Sequence, residues 1–339
     1  MVNRLEATRN SLGIELSDLH IHLGGAVAPH ILWSLAHQQG LKLPVGSYWE
    51  FAEFITIDPA KINTLDDYLS YFHWTEKIQS SPEAVERSVY EVISKEFRSS
   101  NVTRLELRFN PMKRNRGGER DLDHIIHAAL RGLDRVVLEY QGKAGLILCL
   151  DREFAFDLNR VIVEKAVHYH PRGVVGIDLA GSESGPSDLK SRATDYAALC
   201  SRARDAGLGV TVHVGETAAS PAAEVMEIVE VMQPHRIGHG IQAVSSPDAL
   251  KMLKERNICV EICPTSNMQT HAVDGIEHLG RVLRTLVDAG ILFTINTDNP
   301  YLSHTNLRHE ISFLLANKLM SAAELRQCFA WAEEFSFIR

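Results

Sequence analysis

Apolar residues in this chain gather into short runs that recur with helical stretches between them. The first four runs read IELSDLHI (14–21), VTRLELRFN (102–110), AGLILCLD (144–151) and GVVGIDLAG (173–181). Four more follow: GVTVHVGE (209–216), RIGHG (236–240), ICVEICP (258–264) and ILFTINTD (291–298). Several are nearly continuous in apolar residues, as parallel strands covered by helices on both faces are. Between runs the period changes. In PDALKMLKERN (247–257), Leu250, Met252 and Leu253 form an apolar stripe bounded by charges. Gly290 and Gly207 follow helical stretches where a C-terminal cap belongs. About eight alternating units predict an α/β fold, a (β/α)8 TIM barrel, with residues 1–339 forming one domain.

One interval breaks the rhythm. Residues from about 27 to 100, with segments such as SYWEFAEFI and DDYLSYFHWTEK, are rich in helix formers and aromatics. They predict a helical insertion after the first strand, over the barrel mouth. No Ser/Gly-rich linker separates it, so it belongs to the same domain.

The polar residues that interrupt the runs sit at their C-terminal ends. His20 and His22 end the first, His213 and Glu216 the fifth, His239 the sixth, and Asp298 and Asn299 the eighth. In a barrel those ends converge on the active-site face. Residues i and i+2 of a strand point to one side, so His20 and His22 face inward together. Three imidazoles and one carboxylate are a donor set suited to Zn²⁺ or another borderline divalent ion. They leave the ion net positive, able to lower the pKa of a bound water toward neutrality. The fourth run offers Asp178, expected to contact substrate, and no lysine to bridge a second ion, which predicts one ion per chain.

Composition narrows the partners. Of 339 residues, 45% are hydrophobic and 23% charged, as in ordinary soluble globular proteins. A net charge of −8 argues against nucleic acid or an anionic membrane as partner. The basic stretch KRNRGGER (113–120) reads as a solvated loop. Five scattered cysteines, an odd number, suit a reducing compartment and free thiols. MVNRLEATRN lacks the apolar stretch of a signal peptide and no run is long enough to span a bilayer. The expected location is the cytoplasm; oligomeric state has no signature here.

Taken in order, DLHIHLGGA, LELRFNP, GIDLAGSE, HVGE, RIGHG, CPTSN and NTDNP resemble the adenosine deaminase family, the purine-deaminase branch of the amidohydrolase superfamily. The resemblance spans nearly the whole chain. It implies that His20, His22, His213 and Asp298 are metal ligands and that Glu216 shuttles a proton to N1 of a purine. It implies that His239 orients the attacking water and stabilises charge on it. The backbone N–H of Gly181 would address N3, and Asn299 would address N7. The chemistry agrees: hydroxide adds at C6 while N1 is protonated, and expulsion of ammonia needs a further proton. A carboxyl group three residues beyond a metal ligand suits both transfers. Glu216 also fits a helix-start carboxylate, a role compatible with the first.

Two positions depart from the family. Asn299 stands where an aspartate is frequent, although an amide also donates a hydrogen bond. Gly24 stands where adenosine-specific members carry an acid for the ribose 5′-hydroxyl and adenine-specific relatives a larger acid. Losing that pair removes about 0.5–1.5 kcal/mol of binding, and it predicts open volume near C5′. The expected substrate is therefore a 6-aminopurine nucleoside with a larger or less polar 5′ substituent. Candidates are 5′-methylthioadenosine, S-adenosylhomocysteine and 6-amino-6-deoxyfutalosine. Aromatics of the insertion, among them Trp49, Phe51, Phe54 and Phe72, either cover such a group or form the insertion's own core. Other readings are deamination of adenine or an N6-substituted adenine or adenosine, and metal-dependent hydrolysis of an amide, lactone or phosphoester. A non-catalytic binding protein would have lost a ligand or the proton shuttle, and neither is missing.

Overall fold

The computed structural model describes residues 12–115, 122–185 and 187–339. The first ten residues and most of the basic stretch, from 116 to 120, lie outside the described residues. Eight strands form one parallel sheet in chain order. They are β1 (Leu16–His22), β2 (Val102–Phe109), β3 (Lys143–Asp151), β4 (Val174–Ala180), β5 (Gly209–Val214), β6 (Arg236–His239), β7 (Cys259–Ile262) and β8 (Phe293–Ile295). Helices separate them, as the alternating periodicity predicts, and the architecture is the (β/α)8 barrel.

Each apolar run falls on a strand, but the eighth strand is shorter than its run. Asp298 adopts a left-handed φ of 60°, so the chain has left extended geometry before reaching it. That departure closes the ring. The His22 amide donates to the Asp298 carbonyl at 2.8 Å, and the Asp298 amide donates to the His20 carbonyl at 2.8 Å. Candidate site residues therefore form the seam between the first and last strands.

The barrel interior holds charges as well as aliphatic side chains. Arg236 pairs with Glu106 through Nη2 at 2.5 Å and with Glu261 through Nε at 2.6 Å, all fully buried. Isolated charges there would be prohibitive; mutual pairing and hydrogen bonding make them tolerable. The C-terminal residues cover the N-terminal end of the barrel. Arg236 Nη1 donates to the Phe335 carbonyl at 2.7 Å, and its guanidinium lies 3.7 Å from the Phe337 ring centroid. Gly209, at the start of β5, makes room for that ring, which a Cβ would overlap.

Between β1 and β2 run the helices Pro29–Gln38, Tyr48–Phe54, Leu65–Ser70 and Phe72–Ile78. Capping boxes at Ser47/Glu50 and Thr64/Asp67 satisfy the first amides of two of them. The next helix, Pro82–Lys95, packs along Asp123–Glu139. It buries Val85, Val89 and Val92 and so belongs to the outer ring. No helix among the described residues is long and apolar enough to cross a membrane. All five cysteines are free and buried.

Candidate active site

Four donor atoms meet at the C-terminal rim of the barrel. His22 Nε2 lies 3.1 Å from His213 Nε2. Asp298 Oδ1 is 3.5 Å from both His20 Nε2 and His22 Nε2. His20 Nε2 is buried with no hydrogen-bond partner. Burial holds the His22 ring well below the usual histidine pKa, so it is a neutral donor. Ring nitrogens this close, with one buried and unsatisfied, fit a shared divalent cation.

The far nitrogens explain why these rings face inward. His20 Nδ1 bonds Glu261 Oε2 at 2.6 Å, and His213 Nδ1 bonds Asp178 Oδ1 at 3.0 Å. A carboxylate on Nδ1 fixes the tautomer that leaves Nε2 with its lone pair. Arg108 ties the two carboxylates together, through Nη1 to Asp178 Oδ2 at 3.0 Å and Nη2 to Glu261 Oε2 at 2.9 Å. Asp298 is fixed in turn by Ser266, whose hydroxyl donates to Oδ2 at 2.6 Å.

Glu216 and His239 stand beside this cluster. His239 Nε2 is 3.6 Å from Glu216 Oε2, and its Nδ1 lies 3.0 Å from Asn267 Nδ2. An amide N–H on Nδ1 leaves the imidazole proton on Nε2, toward the cavity. Like Asp298, His239 has a left-handed φ, 62°. Non-glycine residues held in that region cluster at functional sites. Burial pushes the Glu216 carboxyl well above the usual range, and the charges of Glu183 and Asp298 add to it. Both effects favour the protonated, proton-donating form of this carboxyl.

A cavity of about 280 Å³ opens onto these groups, with His22, His213, Glu216, His239, Asp298 and Asn299 on its wall. Gly181 and Gly24 line it too. Gly181 has a φ of 104°, and a Cβ there would lie 2.8 Å from Asp151 Oδ1, so only glycine fits at this point of the wall. Asn299 Nδ2 donates to the Tyr68 hydroxyl at 3.0 Å, leaving its second N–H unassigned.

Two expectations change, and the insertion aromatics divide between their two alternatives. Asp178, expected to touch substrate, is fully buried behind His213, where it orients that ring. The volume expected at Gly24 is taken by Phe72, whose Cδ1 lies 2.7 Å from where a Cβ would stand. Of the four insertion aromatics singled out above, Phe72 lines the cavity, whereas Phe51 is fully buried in the core and Trp49 is 76% exposed. Gly25 has its own reason: any Cβ would overlap the Asn299 side chain.

Sequence reasoning missed Arg108, Glu261, Asn267, Tyr68 and Glu183. Arg108 and Glu261 are charges set inside apolar strands, a visible anomaly whose partners are remote in sequence. Ser266 and Asn267 belong to the CPTSN segment but had no role assigned to them.

The sequence model of the adenosine deaminase family matches residues 16–339. The chain belongs to the adenosine deaminase family. An adenosine deaminase of Shewanella denitrificans is 33% identical over 326 residues, covering 96% of this chain and 95% of its own. Membership makes the protein a deaminase, a hydrolase of C–N bonds. Among solved structures, adenine deaminase from Arthrobacter aurescens shares the fold with a TM-score of 0.82 at 20% identity, over 96% of this chain and 94% of that one. An amidohydrolase from Burkholderia ambifaria with bound zinc has a TM-score of 0.82 at 22% identity, over 99% and 91%.

Proposed function

We propose that this deaminase converts a 6-aminopurine nucleoside to the 6-oxopurine and ammonia. The nucleoside is a 5′-modified adenosine such as 6-amino-6-deoxyfutalosine, 5′-methylthioadenosine or S-adenosylhomocysteine rather than adenosine itself. The observation that carries the reading is the convergence of His20, His22, His213 and Asp298 beside a buried Glu216–His239 pair in one cavity.

The four converging residues would hold one divalent ion, Zn²⁺ by the nature of the donors and by analogy with the zinc-bound Burkholderia structure. When bound, the ion supplies a water acidified toward neutral pH. The rest falls to this chain's side chains. Glu216, entering protonated, gives its proton to N1 as oxygen adds at C6. The carboxylate so formed takes the proton of the C6 hydroxyl and passes it to the amino nitrogen, so that the C–N bond breaks, ammonia leaves and the 6-oxopurine remains. His239 presents Nε2–H to the developing negative charge on that oxygen. The Gly181 amide and Asn299 fix the purine through N3 and N7, with Gly24 at the ribose end. Burial of Glu216 and His239 keeps bulk water from competing for those protons.

The test is an ultraviolet and ammonia-release screen across adenine, adenosine, AMP and 5′- or N6-modified adenosines. A 5′-modified adenosine turning over faster than adenosine supports the reading; preference for adenosine overturns its substrate half. A Glu216→Gln variant should lose about 10²–10⁴-fold in kcat. A second reading, deamination of adenine or an N6-substituted relative, is favoured by the Phe72 ring at Gly24, which narrows the ribose end. The same screen separates the two.

A further inference from the structure

The cavity end at Gly24, which has no acid of its own, carries a guanidinium. Arg114 Nη2 lies 3.4 Å from the position a Gly24 Cβ would take. Arg114 belongs to the basic stretch that reads as a solvated loop, yet it is 1% exposed and lines the cavity. The turn after β2 puts it there. Asn110 Oδ1 accepts the amides of Met112 and Lys113 at 2.9 and 3.1 Å, folding the chain back over the barrel rim.

The guanidinium is poorly satisfied. Its Nε and Nη1 are buried without a hydrogen-bond partner. Glu76 Oε1 is 3.0 Å from Nη1 but off the hydrogen-bonding direction. Lys113 lines the same cavity, paired with Asp151 at 2.5 Å. Glu153 also lines it, so this end sets the two cations Arg114 and Lys113 among the carboxylates of Glu76, Asp151 and Glu153. A buried guanidinium with unmade hydrogen bonds is costly unless a ligand completes it, and its planar fork matches a carboxylate or phosphate.

We propose that Arg114 forms an anion subsite beside Gly24, so that the substrate is a 6-aminopurine nucleoside bearing one carboxylate or phosphate at its 5′ end. The proposal rests on the deaminase reading above and deepens it. Phe72 covers the sugar and Arg114 takes the anion. Among 5′-modified adenosines this disfavours uncharged substituents.

The zinc-loaded enzyme is assayed with adenosine, AMP and adenosine 5′-carboxylate, and the binding of inosine and IMP is measured by calorimetry. One of the two anionic substrates should exceed adenosine in kcat/KM by about ten- to hundredfold, the range of one charge-assisted pair; which of them does so identifies phosphate or carboxylate. Arg114→Gln should abolish that preference while leaving adenosine within about threefold. Arg114→Lys should restore part of it, and covers the case in which the glutamine variant does not fold. Adenosine equal to or better than both anions, or equal losses for neutral and anionic substrates in Arg114→Gln, overturns the proposal. If no 6-aminopurine is deaminated, the functional reading has failed; tighter binding of IMP than inosine, lost in Arg114→Gln, then still upholds the subsite, and equal binding removes it.

Discussion

Glu183 holds the backbone from which Glu216 projects. Its Oε1 accepts the Glu216 N–H at 2.9 Å, and its Oε2 accepts the Thr217 N–H at 2.8 Å and the Thr217 hydroxyl at 2.9 Å. Its charge also helps keep the Glu216 carboxyl protonated. One side chain therefore fixes the position of Glu216, the proposed proton donor, and favours its protonated form.

Replacing Glu183 with Gln keeps the shape, removes the charge and leaves only one oxygen to accept. A raised pKa keeps Glu216 protonated to higher pH, so activity should be lost as pH rises through it. Taking away the neighbouring negative charge lowers that pKa, and the alkaline limb of the kcat profile should move to lower pH. The fall in kcat at neutral pH should be about tenfold or more, with KM little changed. A variant with an unmoved alkaline limb would show that Glu183 serves the loop alone.

Asp178 and Glu261 orient His213 and His20 through Nδ1. Asp178→Asn and Glu261→Gln should each weaken metal binding by about 10–100-fold. Competition with a chromogenic chelator reads this directly. Arg108→Met is expected to act on the fold as well. It leaves the buried Asp178 without its arginine and Glu261 with Arg236 alone, so it should destabilise by about 3–5 kcal/mol in denaturant unfolding.

Chelation of the native enzyme should abolish ammonia release, and Zn²⁺ should restore it. Because the four ligands come together only in the folded chain, the ion binds the native state and not the unfolded one. Free ion at about a thousand times its Kd adds roughly 4 kcal/mol. A thermal midpoint indifferent to chelator would contradict the four-residue site.

Phe337 sits at the opposite end of the barrel, against Arg236 and Gly209. Truncation to alanine removes apolar burial and a cation–π contact worth about 2 kcal/mol together. Stability should fall by that amount, while kcat of the folded enzyme is unchanged. Contacts at the N-terminal face of such a barrel serve stability; chemistry occupies the other face.

The barrel was legible because its cause is local. Apolar runs buried on both faces, alternating with amphipathic stretches, specify strands and helices within windows of about ten residues. The strand-end polar residues followed from the same reading, since fold and strand direction together assign them to one rim. Arg108 and Glu261 were visible as charges in apolar runs, but each looks like a defect until its partners are known: Asp178 and Glu261 lie 70 and 153 residues from Arg108, and His20 lies 241 from Glu261.

Gly24 marks the boundary between the two kinds of information. The sequence by itself determined that position 24 carries no side chain, and so that no carboxylate from it reaches a ribose. It could not say what fills the space. Only the tertiary structure decided that the Phe72 ring and the Arg114 guanidinium meet there, because they come from an inserted helix and from the turn after β2. Local pattern encodes which faces are buried; which groups face one another across a cavity depends on contacts between distant segments, and no periodicity records those.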